Sequence, residues 1–209
     1  MSDSVKQIIG RSAGLLFLFA VIGTALVTLS YDITKNQIAE NQKQAVLKQL
    51  NALISKDLYD NDLLNDKIEI TDVENLGTTA PVTFYRARKH HQPQAILLMP
   101  IAPDGYGGSI QLLVGITIEG TLLGVRVLSH QETPGLGDGI EEKKSPWIYH
   151  FNGLSLEYPK LEQWAVKKDG GIFDQFTGAT ITPRAIVKAV RKSLVFFEQH
   201  RGRLFEELP

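Results

Sequence analysis

The 209-residue chain contains no cysteine. That absence excludes disulfides, thiolate-ligated iron–sulfur clusters and thiol redox chemistry, so if the chain carries electrons, an organic cofactor must hold them. It has almost no net charge, with 22 Lys and Arg against 23 Asp and Glu, and so no electrostatic case for binding nucleic acid. The five histidines, His90, His91, His130, His150 and His200, show no metal-ligand spacing, and no metal site is expected. No Gly-x-Gly-x-x-Gly segment opens a helix, so nothing marks a site for a soluble nicotinamide donor. Internal repeats and low-complexity tracts are also absent.

Charge is missing altogether from residues 12–31, where Leu, Phe, Val, Ile, Ala and Gly dominate. A run of about 20 such residues has the length of a bilayer-spanning helix. A cleaved signal peptide is the competing reading, but its apolar region is usually only about 7–15 residues long, and no clean Ala-x-Ala site follows. Lys6 and Arg11 precede the span and Asp32 and Lys35 follow it, which leans towards a cytoplasmic N-terminus over residues 1–11. After the span, Ile38, Ala45, Val46, Leu50, Leu53 and Ile54 predict an amphipathic stalk helix over about residues 35–56. An acidic, polar connection follows, and the boundaries expected are a stalk and connection over residues 32–66 and a folded domain over residues 67–209.

Short apolar or alternating runs then occur at residues 68–73, 82–88, 95–99, 110–118 and 122–128, separated by turn-prone residues. Ile110, Leu112, Val114, Ile116 and Ile118 alternate, and Glu119-Gly120-Thr121 can turn the chain into Leu123, Val125 and Val127. That pattern predicts a hairpin with one buried face. His90 and His91 sit in a polar stretch and read as a solvated turn. The expected class is α+β, an antiparallel sheet flanked by helices and preceded by one transmembrane helix.

Near the C-terminus, Ile186, Val187, Val190, Leu194 and Phe197 recur on one helical face. Thr182 is the expected N-cap and Pro183 the first helical residue, with the helix running to about Gly202. The segment Asp174-Gln175-Phe176-Thr177-Gly178-Ala179-Thr180 leads into it. Its hydroxyls and small residues lie at the positive end of a helix, where an anion is favoured. The plainer reading of the same residues is that the threonines only cap a helix.

The pattern Asp-x-x-Thr-Gly-Ala-Thr resembles the flavinylation motif of the FMN-binding domain family, in which the last threonine carries FMN through a phosphoester bond. Thr180 holds that position. Two upstream blocks extend the resemblance: Gly105-Tyr106-Gly107-Gly108 leading into residues 110–116, and His130-Gln131-Glu132-Thr133-Pro134-Gly135-Leu136-Gly137. Three blocks in order are far more specific than any one of them.

What the resemblance implies is covalent FMN on Thr180, with Asp174, Thr177, Gly178 and Ala179 as its motif neighbours. A threonine hydroxyl is a poor nucleophile without an activating base or metal, and no activating constellation adjoins Thr180. Attachment therefore implies a separate flavin transferase, for which Gly178 and Ala179 leave the approach open. The loop at residues 132–137 is expected against the flavin, with Glu132, Thr133 and Leu136 contacting the ring or ribityl chain. Backbone N–H groups of Thr133 or Gly137 would bond its polar edge. Lys143, Lys144 and Trp147 follow closely; a lysine near the ring would favour the reduced, anionic flavin, although each of the three reads more readily as a surface or packing residue.

Family members occur in two membrane complexes, the Rnf ion-translocating electron transport complex and the sodium-translocating NADH:quinone reductase. The short length and single anchor are similar to the Rnf-type member. That resemblance implies an electron relay that is not catalytic alone, works with other membrane subunits, and is anchored in a bacterial inner membrane with its C-terminal domain in the periplasm. The alternative is a membrane-anchored flavin-binding sensor or scaffold without electron relay.

Overall fold

The structure, a computed structural model, describes residues 3–206. It divides into two compact units, one up to Val46 and one from Leu47 onward. Helix α1 runs Asp3–Asn51, so the stalk expected as a separate helix over residues 35–56 continues the apolar span and ends at Asn51. No glycine or proline lies between Thr24 and Asn51 to interrupt it. Within the first unit the apolar side chains of residues 15–31 are exposed, and residues 9–51 include a stretch long and apolar enough to cross a membrane. Past the span the helix is polar and locally bonded: Thr34 donates its hydroxyl to the Ser30 carbonyl at 2.8 Å, and Lys35 pairs with Asp32 at 2.8 Å.

The second unit is built on a six-stranded antiparallel sheet. Its strands are β1 (Lys67–Ile70), β2 (Val82–Lys89), β3 (Gln92–Leu98), β4 (Ile101–Ala102), β5 (Ile110–Thr117) and β6 (Leu122–Ser129). β3 pairs residues 95–98 with residues 114–117 of β5, and β4 pairs Ile101 with Gln111 and Ala102 with Ile110. β4 is therefore the continuation of β3 beyond Met99 and Pro100, where proline cannot donate to the ladder. The result is a meander from β1 to β6 with β3 at its centre and β5 between it and the edge strand β6.

The hairpin turn at Glu119-Gly120-Thr121 forms as expected: Gly120 donates its N–H to Thr117 at 3.0 Å and Thr117 donates to Thr121 at 2.8 Å. His90 and His91 turn β2 into β3 with φ of 51° and 62°. The run expected as strand over residues 68–73 stops at Ile70. Asp72 accepts the Asn75 N–H at 3.0 Å and caps a single-turn helix, α2 (Val73–Leu76).

A larger correction concerns the faces of the sheet. Ile110, Leu112, Val114 and Ile116 are buried as predicted, but so is Leu113 between them. One face, with Phe84, Ile96 and Leu98, joins the main core with helix α3 (Ile181–Leu204) and the irregular segment beyond β6. The other face is also covered: the residues that follow the exposed part of α1 lie against it, with Leu53 Cβ 3.6 Å from where a Gly115 side chain would begin. Alternation alone could not reveal that second layer.

Helix α3 buries Ile186, Val187, Val190, Leu194, Phe196 and Phe197, and Phe196 meets Phe84 at a ring separation of 5.5 Å. Residues 130–180 contain no strand and only short 3-10 turns. Their order comes from aromatic packing, in which Phe151 contacts Trp147, Phe173 and Trp164 at 5.5, 4.7 and 6.3 Å.

The C-terminal end of α3 is tied back through charge. Asp66 accepts from Arg86 with one carboxylate oxygen and from Arg88, at 2.8 Å, with the other. Those arginines donate onward to the carbonyls of Glu206 and Phe205 at 2.8 and 2.9 Å. All three side chains are mostly buried, so removing the shared anion leaves two desolvated cations. A fragment beginning near Asp32 is expected to be soluble and folded, because it keeps every core residue of the second unit and drops the exposed apolar run. Aggregation of that fragment under native conditions would contradict this division. In the same fragment, Asp66→Ala is expected to lower unfolding free energy in urea by roughly 2–3 kcal/mol, and a loss below about 0.5 kcal/mol would show the cluster to be energetically idle.

Candidate functional site

The three segments singled out in the sequence meet at one cleft of about 210 Å³. It lies where the loop after β4, the loop after β6 and the start of α3 converge. Glu132, Thr133, Leu136 and Gly137 line it from the second segment, and Gly178, Ala179 and Thr180 from the third. Tyr106 lines it from the first segment, and Ile181, which no segment included, completes the wall. Tyr106, Leu136 and Ile181 are 70%, 50% and 45% exposed, so the rim is apolar although solvent reaches it.

Glu132 connects the segments. The residue is 5% exposed; Oε1 accepts the Gly107 N–H at 3.1 Å and Oε2 accepts the Thr182 hydroxyl at 2.6 Å. A buried carboxylate requires such donors, because leaving either oxygen unbonded costs the desolvation of a charged group. The Glu132 N–H donates to His130 Nδ1 at 3.0 Å. That bond assigns the ring proton to Nε2, which faces Glu141 at 3.2 Å.

Thr182 is thus not the N-cap. Thr180 occupies the cap position with φ −69° and ψ −28°, and its side chain makes no capping hydrogen bond. Thr182 lies inside α3, fully buried, with its hydroxyl committed to Glu132. Pro183 is accordingly the third helical residue rather than the first, still within the turn whose N–H groups have no helical partner. The signal that could have revealed the shift is Glu132 itself, a lone carboxylate in a glycine-rich loop that needs a donor from elsewhere.

The segment before α3 is a tight turn. Ala179 donates its N–H to Phe176 at 3.1 Å, and Gly178, the third residue of that turn, has φ +79°, a conformation glycine adopts without strain. Thr177 lies on its exposed outer side and does not line the cleft. Asp174 also lies outside it, pairing with Lys167 at 2.6 Å through its side chain.

The second loop is held from behind. Asp138 accepts the Gly135 N–H at 2.8 Å and Lys144 Nζ at 2.6 Å. The Lys144 ammonium, aided by the Gly135 N–H, holds the Asp138 carboxyl below its usual range. Lys144 is thus a structural partner of Asp138, and neither it nor Lys143 lines the wall, in line with the reading of both as surface or packing residues. Of the two N–H groups expected to face a ligand, that of Gly137 donates to the Thr133 carbonyl at 3.1 Å. Trp147 is also not in the wall; it is buried beneath the turn, with its indole N–H on the Asp174 carbonyl at 2.7 Å.

Comparison with known proteins agrees with these three segments. Residues 105–195 match the FMN-binding domain family and residues 1–53 match the RnfG N-terminal region. The chain is 50% identical over 204 residues to the ion-translocating oxidoreductase complex G-subunit of Pseudomonas aeruginosa strain UCBPP-PA14, covering 98% of this chain and 95% of that protein. It is 46% identical over 199 residues to the protein of the same description from Vibrio cholerae, covering 95% of each. For the Aliivibrio fischeri ES114 protein the identity is 45% over 194 residues, covering 93% of this chain and 92% of the relative. A chain this similar over nearly its whole length, with its cleft inside the matched domain, belongs to the G-subunit family of ion-translocating oxidoreductase complexes.

Proposed function

We propose that this chain is a membrane-anchored flavoprotein subunit that relays electrons through FMN covalently attached to Thr180. One observation carries the reading: the threonine at the motif's last position lines the cleft at a helix N-cap without using its side chain to cap. The relatives' shared description as subunits of ion-translocating oxidoreductase complexes supports the wider role.

The residues present fit FMN. Tyr106, Leu136 and Ile181 offer apolar surface for a planar ring, and Glu132 and Thr133 offer polar atoms beside it. Gly178 leaves its backbone open, since a Cβ there would meet only Leu136 Cδ2, at 3.8 Å. The unpaired N–H groups at the start of α3 favour the phosphoryl charge. When bound, FMN supplies reversible electron uptake, and the protein's part is to hold, orient and insulate it.

Attachment at Thr180 would form a bond from Oγ to the phosphoryl phosphorus of an activated flavin nucleotide. The bond from phosphorus to the donor's leaving group breaks, the hydroxyl proton passes to a base, and no electrons change hands. No base adjoins Thr180 in this chain by sequence, so a flavin transferase is assigned as the modifying partner. Asp174 and Thr177, on the exposed side of the turn, are assigned to its recognition rather than to flavin contact. The apolar span, residues 12–31, anchors the chain in a bacterial inner membrane, and the basic residues Lys6 and Arg11 before it favour a periplasmic location for the folded domain. Its working partners are the other membrane subunits of the complex.

Thr180→Ala should abolish the flavin fluorescence that survives denaturing electrophoresis. Stability should change by no more than about 0.5 kcal/mol, because no capping bond is lost. FMN found by mass spectrometry on Thr177 or Thr182 of native protein would overturn the assignment. As a relay without a nicotinamide site, the isolated flavinylated chain should be reduced by NADH alone no faster than free FMN is. Rapid NADH oxidation by the purified chain would show instead a stand-alone oxidoreductase.

A further inference from the structure

The indole of Trp147, outside the flavinylation motif and outside the cleft, lies directly beneath the turn that bears Thr180. It is 3% exposed, and its backbone is fixed where Ser145 Oγ accepts the Trp147 N–H at 3.0 Å. From there the indole N–H donates to the Asp174 carbonyl at 2.7 Å, and the ring meets the edge of Phe176 at 5.4 Å. Phe176 enters a slot whose other wall is Gly139, where an added Cβ would lie 3.1 Å from the Phe176 ring. The other ties of this segment are the Ala179 to Phe176 hydrogen bond, the exposed Lys167–Asp174 pair and a Lys168 N–H donated to Gln175 Oε1 at 3.3 Å, none of them buried.

We infer that Trp147 is a positioning residue for flavin attachment: with Gly139 it clamps Asp174 and Phe176 so that the hydroxyl of Thr180, and not that of Thr177, is presented at the cleft. The inference rests on the covalent-attachment reading. Two hydroxyls lie three residues apart on this turn. Thr177 is the more exposed, so exposure alone would favour the wrong one. Register is what separates them. With Phe176 seated and the Asp174 carbonyl held, the turn at Gly178 directs Ala179 and Thr180 inward and leaves Thr177 outside. Without the clamp the turn can rotate or slide, and an acceptor atom displaced by about 1 Å can cost on the order of a hundredfold in a transfer rate.

The test compares the full-length chain with three variants, each produced together with a flavin transferase. Trp147→Phe keeps an aromatic ring but removes the N–H; Gly139→Ala narrows the slot from the other side. The third variant replaces Trp147 by benzothienylalanine, which exchanges only the indole N–H for sulfur and so preserves packing should the phenylalanine variant fail to fold. The readouts are the rate of covalent FMN incorporation into folded protein, the peptide that carries it and the thermal midpoint.

The expected result is incorporation at least about tenfold slower in all three variants, with some label moved to Thr177, while the midpoint of the benzothienylalanine variant stays at that of the parent. Parent-like incorporation confined to Thr180 in the benzothienylalanine and Gly139→Ala variants overturns the clamp, even though covalent attachment then stands. A parent chain that carries no FMN on Thr180 removes the covalent reading and this inference with it, and the unsubstituted control distinguishes the two failures.

Discussion

The Glu132 carboxylate holds the cleft together because each of its oxygens accepts from a different part of the chain. One takes the Gly107 N–H and the other the Thr182 hydroxyl, so the loop after β4 and the start of α3 are both fixed to the loop after β6. The same segments also approach closely through their glycines: a Cβ at Gly107 would run into the Gln131 carbonyl oxygen, and one at Gly137 would lie 3.1 Å from the Thr182 hydroxyl. The sheet supplies the frame, but the relative placing of Tyr106, Leu136 and Thr180 depends on one buried acid finding both donors. Such an arrangement is costly if half made, since a desolvated carboxylate with one donor missing is worse than an apolar contact in its place. It therefore demands the complete junction.

Helix α3 links this junction to the core. Its buried face, from Ile186 to Phe197, packs on the sheet, which sets both the position of its first turn and the direction in which its free N–H groups point. Thr182 belongs to that first turn, and its commitment to Glu132 leaves Thr180 as the residue at the helix end. The helix thus carries structural work along its length and leaves its N-terminus for a ligand. The aromatic cluster of Trp147, Phe151, Trp164 and Phe173 stabilises the segment that no regular structure supports.

Much of this arrangement was legible in the amino-acid order because it rests on local periodicity. Alternation along Ile110 to Ile116 marked a strand, Glu119-Gly120-Thr121 marked its turn, and the apolar face from Ile186 to Phe197 marked the last helix. The convergence of Glu132, Thr133, Leu136 and Gly137 on Thr180 was legible through the three ordered blocks. What escaped were features set by contacts distant in sequence. Thr182 reads as a cap until Glu132, 50 residues away, is seen to take its hydroxyl. Leu113 looks solvent-facing in an alternating strand until a second layer covers it.

The charges around the cleft have a consequence for the conditions in which it can work. Lys188 faces Asp104, Arg184 grips Asp169 through two nitrogens at 2.6 and 2.9 Å, Lys144 holds Asp138 and Lys167 holds Asp174. Each cation is answered by an anion a few ångströms away. Seen from a Debye length off, about 10 Å at moderate salt, such dipoles largely cancel. These four pairs consequently project little net field beyond the rim's apolar residues. These pairs are therefore expected to add little long-range steering towards the cleft at any ordinary ionic strength.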